Sequence, residues 1–334
     1  MEDLGLTGEE EKAAWKGVTP VTVTHNSAAV IGDCLKTMAG AERIIVIDNA
    51  SEDDTLAHVR AVRPDAEIIR NETGLGYGNA ANQGLERVNE EFALLINPDA
   101  VIDVAMLSRL RHTARANPRA AMIAPRLLNP DGSTELSHNA DYLTRRRMSR
   151  AARSQAVLPE GPCCTWYISG AVTLVRMEAM REVGFYDPAI FLYFEDNDLC
   201  RRLIEGGWQL ILDPEATAMH IGGGSIGDGA GVRWEKFYHL SWSRLYFEAK
   251  YAGLAPARRL GWQVMLRRGL KALGHGLVLN RDKARRDLAS FCGAAAWLAG
   301  RPASRTTSRS RPGSIPDGSG KRPALARPRS GVQS

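Results

Sequence analysis

The chain has 334 residues, is 44% hydrophobic and 24% charged, and carries a net charge of +5. That is ordinary globular composition, with enough chain for one large domain or two smaller ones and no need for disulfide staples. The five cysteines (Cys34, Cys163, Cys164, Cys200 and Cys292) form no CxxC pair and no metal-type spacing, which excludes a zinc-ribbon or disulfide scaffold and fits buried thiols in a reducing compartment.

The first 17 residues, MEDLGLTGEEEKAAWKG, are acidic and lack the apolar run of a secretory signal, so they are set apart as an N-terminal extension. From Val18 onward, short β-rich runs alternate with helical stretches. VTPVTVT (18–24), RIIVID (43–48), AEIIR (66–70) and FALLIN (92–97) read as strands. Helices are predicted near 28–38, 53–62 and 79–88. Near-continuous apolar strands in a β-α-β-α series predict a mostly parallel sheet covered on both faces, an α/β three-layer architecture. Residues 130–162 read as an irregular, mobile loop over the site. WYISGAVTLVR (166–176) returns to strand, 197–207 is a helix ending at glycine, and WQLIL (208–212) is a strand.

Beyond Trp234 the sequence turns helical and basic. Residues 244–290 hold eleven Lys/Arg against three Asp/Glu, and 301–334 hold eight against one, which leaves the front of the chain net negative. Trp262, Met265, Leu266, Leu270, Leu273 and Leu277 fall on one helical face, with Arg267, Arg268 and Lys271 around it. Such a basic back end suits an anionic lipid surface or nucleic acid; it also suits a solvated face with a disordered tail. No stretch reaches the ~20 apolar residues of a membrane span. The domain reading is therefore 1–17, an extension; 18–243, the main α/β domain; 244–300, a basic amphipathic helical extension; and 301–334, a disordered basic tail rich in Ser, Pro, Arg and Gly. The protein is read as cytoplasmic, at most peripheral on the inner face of the cell membrane.

The polar residues gather at the strand ends: Thr24, His25 and Asn26, then Asp48 and Asn49, the stretch from Asn71 to Asn79, and Asn97 and Asp99. Any one of them fits a turn. Together they mark a ligand site, because ligands of such sheets bind beyond the carboxyl ends of the strands. ETGLGYGNAANQG (72–84) fails as a dinucleotide fingerprint, since Asn79 stands where the third glycine would be. Asp99, in NPDA, can hold a divalent cation against a diphosphate, or simply make a turn. Glu195, Asp196 and Asp198 open a helix, where acids also favour the dipole. The aromatic run before them disfavours ionisation, which suits a general base. His220 precedes three glycines, where a loop could fold over a phosphate or metal.

Taken together, VTVTHNS, IIVIDNASEDDT, NETGLGYGNAANQGL, LLINPDA, SGAVTLVRMEAMREVGFYDPAIFLYFEDNDLCRRL and HIGGGS resemble the family-two glycosyltransferases of GT-A fold, and among them bacterial rhamnosyltransferase-like enzymes of polysaccharide assembly. The resemblance covers about residues 18–243. It implies an inverting enzyme that moves a sugar, rhamnose by this likeness, from a nucleotide-sugar donor to a glycan or lipid-linked acceptor. By the same resemblance, His25, Asn26 and Asp48 line the base and ribose, and Asn71, Gly76 and Asn79 border the nucleotide and its phosphates. Asp99 binds Mg²⁺ or Mn²⁺, and His220 touches the metal or the diphosphate. Asp196, with Glu195 beside it, takes the acceptor proton. One departure stands out. The family's metal motif is often Asp-x-Asp, and its first position here is Asn97, a hydrogen-bonding neighbour without charge. Arg233-Trp234 is preceded by Ala230 rather than the Gln of processive synthases, which implies single transfer. The rival readings are a metal-dependent nucleotidyltransferase, which wants a carboxylate pair that Asn97 spoils, and a non-catalytic sugar-nucleotide or glycan-binding module. Nucleic acid is not expected as a partner, since no stacking aromatics interleave the basic residues.

Overall fold

The structure is a computed structural model and describes residues 8–149, 158–221 and 230–304. After α1 (Gly8–Trp15) the chain runs β1 (Val18–Thr24), α2 (Ile31–Lys36), β2 (Ile45–Asn49), α3 (Thr55–Val62), β3 (Glu67–Asn71), α4 (Tyr77–Leu85), β4 (Phe92–Ile96) and β5 (Ala100–Val101). It continues with α5 (Val104–Ala116), β6 (Ala120–Leu128), β7 (His138–Asn139), α6 (Tyr142–Arg147), β8 (Cys163–Thr165), β9 (Tyr167–Ile168), β10 (Val172–Arg176), α7 (Met177–Val183), α8 (Glu195–Glu205) and β11 (Gln209–His220). Three helices close it: α9 (Ala230–Ala252), α10 (Leu254–Leu277) and α11 (Arg281–Leu298).

The main sheet is ordered β3-β2-β1-β4-β10-β6-β11-β5, with β8 added to β11. Its first four strands are parallel. Strand β10 enters antiparallel to both β4 and β6, while β11 runs parallel to β6. The strands are apolar on both sides because each face carries a core. Phe92, Leu94 and Ile96 pack with Ile31, Leu35 and Leu107 on one side, and Ala93 and Leu95 pack with Leu85, Met180 and Leu199 on the other. Helices therefore cover both faces, giving the three-layer arrangement.

Two segments differ from expectation. Residues 130–162 are not one irregular loop: β7 pairs with β9 and α6 forms a helix capped by Asp141, whose side chain accepts from the Leu143 N–H. The middle of that stretch, 150–157, lies outside the described residues, as do the three glycines after His220 and the basic tail from residue 305. The run 166–176 is two strands rather than one. Its break at 169–171 turns backbone groups toward three other elements: Ser169 N–H donates to Ser137 (2.7 Å), Gly170 N–H to Asp196 (3.1 Å), and the Ala171 carbonyl accepts from Asn97 N–H (2.8 Å).

Position 243, the expected end of the main domain, falls inside α9. This helix is tied to the loop before α8 and to α8 itself. Ser243 Oγ donates to the Leu192 carbonyl (2.8 Å), and Lys250 Nζ reaches Asp187 and the buried Asp198 at 2.6 Å each. The Tyr251 hydroxyl donates to Asp198 at 2.7 Å.

Candidate active site

The ends of β1, β2 and β3 lie level in the sheet, with Thr24 opposite Asp48 and Asn49 opposite Asn71. Adjacent strands sit about 4.8 Å apart, so their terminal side chains form one arc. His25 Nδ1 meets the Asn49 carbonyl at 3.0 Å. Asn26, at φ +50°, accepts from Glu52 N–H (2.8 Å), and its own N–H donates to Ser51 Oγ (2.9 Å). Asp48 is fully buried. One of its oxygens accepts from Ser51 N–H, and the other faces Arg70 Nε at 3.8 Å.

Asn71 is taken up by internal bonds. Its amide exchanges two hydrogen bonds with Gln83 (3.0 and 3.1 Å) and donates to Asn49. Asn49 in turn accepts from Leu75 N–H at 2.9 Å. Asn79 donates to the carbonyls of Leu75 (3.1 Å) and Pro188 (3.3 Å), holding the glycine turn against the 185–191 segment. Gly76 has φ +83°, and a Cβ there would fall 1.7 Å from the Phe191 carbonyl oxygen, so no other residue fits. Asn71, Asn79 and Gly76 thus shape the turn through these contacts.

Asp99 and His220 are brought together by β-pairing. Strand β5 begins at Ala100 and pairs with the end of β11, His220 opposite Ala100. His220 Nε2 then lies 3.3 Å from Asp99 Oδ1, and its Nδ1 lies 2.7 Å from Glu135 Oε2. These two carboxylates push the imidazole up to about 9, the Asp99 bond first. Held between two carboxylates, His220 is a cation in this arrangement, and no cluster of three metal-binding side chains occurs among the described residues; Asp99 is the carboxylate that could meet a divalent cation on phosphate oxygens, with His220 joining it on loss of its proton. Asn97 holds the turn: its carbonyl accepts from Ala100 N–H (3.1 Å) and from the thiol of Cys34 (3.4 Å). Burial, then the Asp99 charge, pushes that thiol far up.

The second carboxylate cluster opens α8. Tyr193 (φ +63°) and Phe194 (φ +70°) are both left-handed, an uncommon backbone for aromatic residues, and the tight turn presents Glu195 and Asp196 inward. Glu195 is buried and Asp196 accepts from Gly170 N–H at 3.1 Å. A Cβ on residue 170 would lie 2.8 Å from Asp196 Oδ1. Burial raises the pKa values of Tyr77, Tyr167 and Tyr186 around the pair, and the charge of Glu195 and Asp196 adds to the shift. Desolvation raises both carboxyls above their ordinary range. Mutual repulsion adds to the effect at Glu195, whereas the Gly170 N–H and the Tyr186 hydroxyl partly support the Asp196 anion. The two clusters meet through the 169–171 break, since Asn97 bonds Ala171 and Asp196 bonds Gly170. Beside them lies a cavity of about 210 Å³ lined by Ala140, Tyr142, Arg145, Tyr167, Phe194 and Asn197.

Sequence reasoning did not single out Gly170, Glu135 or the three tyrosines. Only Ser169-Gly170-Ala171, small residues interrupting an apolar strand, offered a signal.

The arrangement fits known proteins. The profile of "Glycosyl transferase family 2" matches residues 20–183. The chain is 28% identical over 270 residues to an N-acetylglucosaminyl-diphospho-decaprenol L-rhamnosyltransferase of Mycobacterium tuberculosis, covering 71% of this chain and 83% of that protein. It is also 28% identical over 216 residues to the pre-mycofactocin glycosyltransferase of the same organism, covering 61% of this chain and 43% of that one. The crystal structure of GalNAc-T7 with UDP, GalNAc and Mn²⁺ superposes with a TM-score of 0.50 at 14% identity, over 70% of this chain and 51% of that one, a likeness of fold. With the three-layer sheet and the carboxylates at its strand ends, these matches show a glycosyltransferase of GT-A fold that is similar to glycosyl transferase family 2 over residues 20–183.

Proposed function

We propose that the protein transfers a sugar from a nucleotide-sugar donor, with inversion at the anomeric carbon, to a hydroxyl of a glycan or lipid-linked acceptor in polysaccharide synthesis. The observation that carries this reading is the joining of two carboxylate clusters across residues 169–171, where Asn97 N–H donates to Ala171 and Gly170 N–H donates to Asp196; in this reading the first serves the diphosphate and the second takes the proton. The relative's name supplies rhamnose as the sugar and a polyprenyl-diphosphate glycan as the acceptor type.

In this reading His25, Asn26 and Asp48 hold the nucleoside at the β1–β2 edge. Asp99 and His220 would hold a divalent cation, which when bound offsets charge on the diphosphate. Asn97 and the turn at Gly76 lie along the phosphates. The acceptor enters by the cavity beside Phe194 and Asn197. Asp196 takes the proton from its hydroxyl, the freed oxygen forms a bond to the anomeric carbon, and the bond from that carbon to the phosphate oxygen breaks with its electron pair on the nucleoside diphosphate. The product is an inverted glycoside, and no carboxylate nucleophile intervenes. Glu195, held protonated by burial, leaves the single negative charge of the pair on Asp196.

The test is a panel of nucleoside diphosphate sugars with Mn²⁺ or Mg²⁺, read first by thermal shift and then by nucleoside diphosphate release. Sugar transfer abolished by Asp196→Asn and by Asp99→Asn supports the reading. Pyrophosphate release with nucleotidyl transfer, or an undiminished Asp196→Asn enzyme, would sink it.

A further inference from the structure

Helix α10 buries only one of its faces. Ala257 and Gly261 are its buried residues, and Leu298 of α11 fills the space beside Gly261. Nearly half a turn round the helix, Trp262, Leu266, Leu270, Leu273 and Leu277 line up at intervals of three and four residues. They lead into Val278 and Leu279 at the tip between the two helices, and all seven side chains are 62–87% exposed. The core of the three-helix unit does not use this stripe, which runs for about 22 Å.

The charge around it has one sign. Helix α10 contains no Asp or Glu, and its Arg258, Arg259, Arg267 and Lys271 are exposed. Exposed Arg281, Lys283 and Arg285 follow the tip. The acids nearby are Asp282, which is exposed, and Asp287, which is buried between Arg268, Arg286 and His275. A second copy of this chain would bring the same cations against themselves. An anionic bilayer instead accepts leucines and a tryptophan into its interface and cations at its headgroups.

We propose that the α10 stripe and the Leu277–Leu279 tip lie in the interface of an anionic membrane, with the flanking Arg and Lys side chains on lipid phosphates. Its purpose, delivery of a lipid-linked acceptor, rests on the sugar-transfer reading; the binding itself does not. Helix α9 packs on this unit and its Lys250 also holds Asp187 and Asp198, which joins the docked surface to the helix that carries Asp196.

The experiment is co-sedimentation of the full chain with phosphatidylcholine vesicles, with and without phosphatidylglycerol. Binding should require the anionic lipid and weaken with salt. Leu270→Gln/Leu273→Gln/Leu277→Gln should reduce partitioning at least about tenfold while leaving thermal unfolding unchanged, because these side chains are exposed. Brominated acyl chains should quench a tryptophan signal that Trp262→Phe removes. Equal binding to both vesicle types, no binding, or a triple variant that binds like the parent would overturn the proposal. So would a lipid-free dimer that the triple variant dissolves. Transfer to a water-soluble acceptor analogue should survive the triple substitution; its absence in the parent protein would count against the sugar-transfer reading alone.

Discussion

Replacing Gly170 with alanine tests the junction of the two carboxylate clusters without removing either. The added methyl would sit 2.8 Å from Asp196 Oδ1 and 3.4 Å from its Cγ, well inside van der Waals contact. The carboxylate must retreat by several tenths of an ångström, and its bond from Gly170 N–H stretches with it. Overpacking of this kind costs about 1–3 kcal/mol, and here part is relieved by side-chain rotation. The catalytic loss should exceed the stability loss. A misplacement of about 1 Å can cost 100-fold, and a general base contributes roughly 10²–10⁴-fold. We expect kcat to fall 10- to 100-fold. Weakening a bond that favours the anion also raises the Asp196 pKa further, so the deficit should be deepest at low pH and shrink as pH rises. Nucleoside diphosphate release, followed across pH with donor affinity from thermal shifts, reads all of this. A variant with kcat within about twofold of the parent and an unmoved pH profile would refute the role given to Asp196.

Other consequences follow from the same geometry. Asp99→Asn should reduce turnover by about 10²–10³-fold and abolish the Mn²⁺ dependence of nucleoside diphosphate binding, measured by thermal shift with and without chelator. The parent enzyme should lose activity on acidification at a pH above the ordinary carboxylate value of 3.8, because burial makes Asp196 harder to ionise; a pH–rate profile locates the limb. Glu195 has its folded pKa raised above 4.5, so the unfolded chain ionises first and stability falls as pH rises above that value. Glu195→Gln should flatten that slope in thermal melts taken across pH. Lys250→Met would remove the cation that Asp187 and Asp198 share but leave Asp198 paired with Arg202 and Tyr251, and urea unfolding should show a loss of about 1.5–3 kcal/mol.

The sequence by itself determined the layered α/β domain. A strand with helices on both faces is buried at every position, so Phe92–Ile96 announced itself as an apolar run and Val18–Thr24 as a β-branched one whose threonines are also buried. The polar residues that stop those runs marked the ligand edge, and Asp99, Asp196 and His220 stood out by residue type. Their partners did not. Glu135 lies 85 residues from His220, and Gly170 lies 26 from Asp196. Such pairs are set by strand register and by the direction in which β10 enters the sheet, which no local pattern encodes. Asn71, read at the nucleotide, turned out to be bound to Gln83 because α4 lays its polar face on that strand end. The leucine stripe of α10 shows the same division. Its period was plain in the sequence, but a period says only that one face is apolar. Whether that face meets a core or the solvent depends on which neighbour the chain folds against it, and here α11 took the other face.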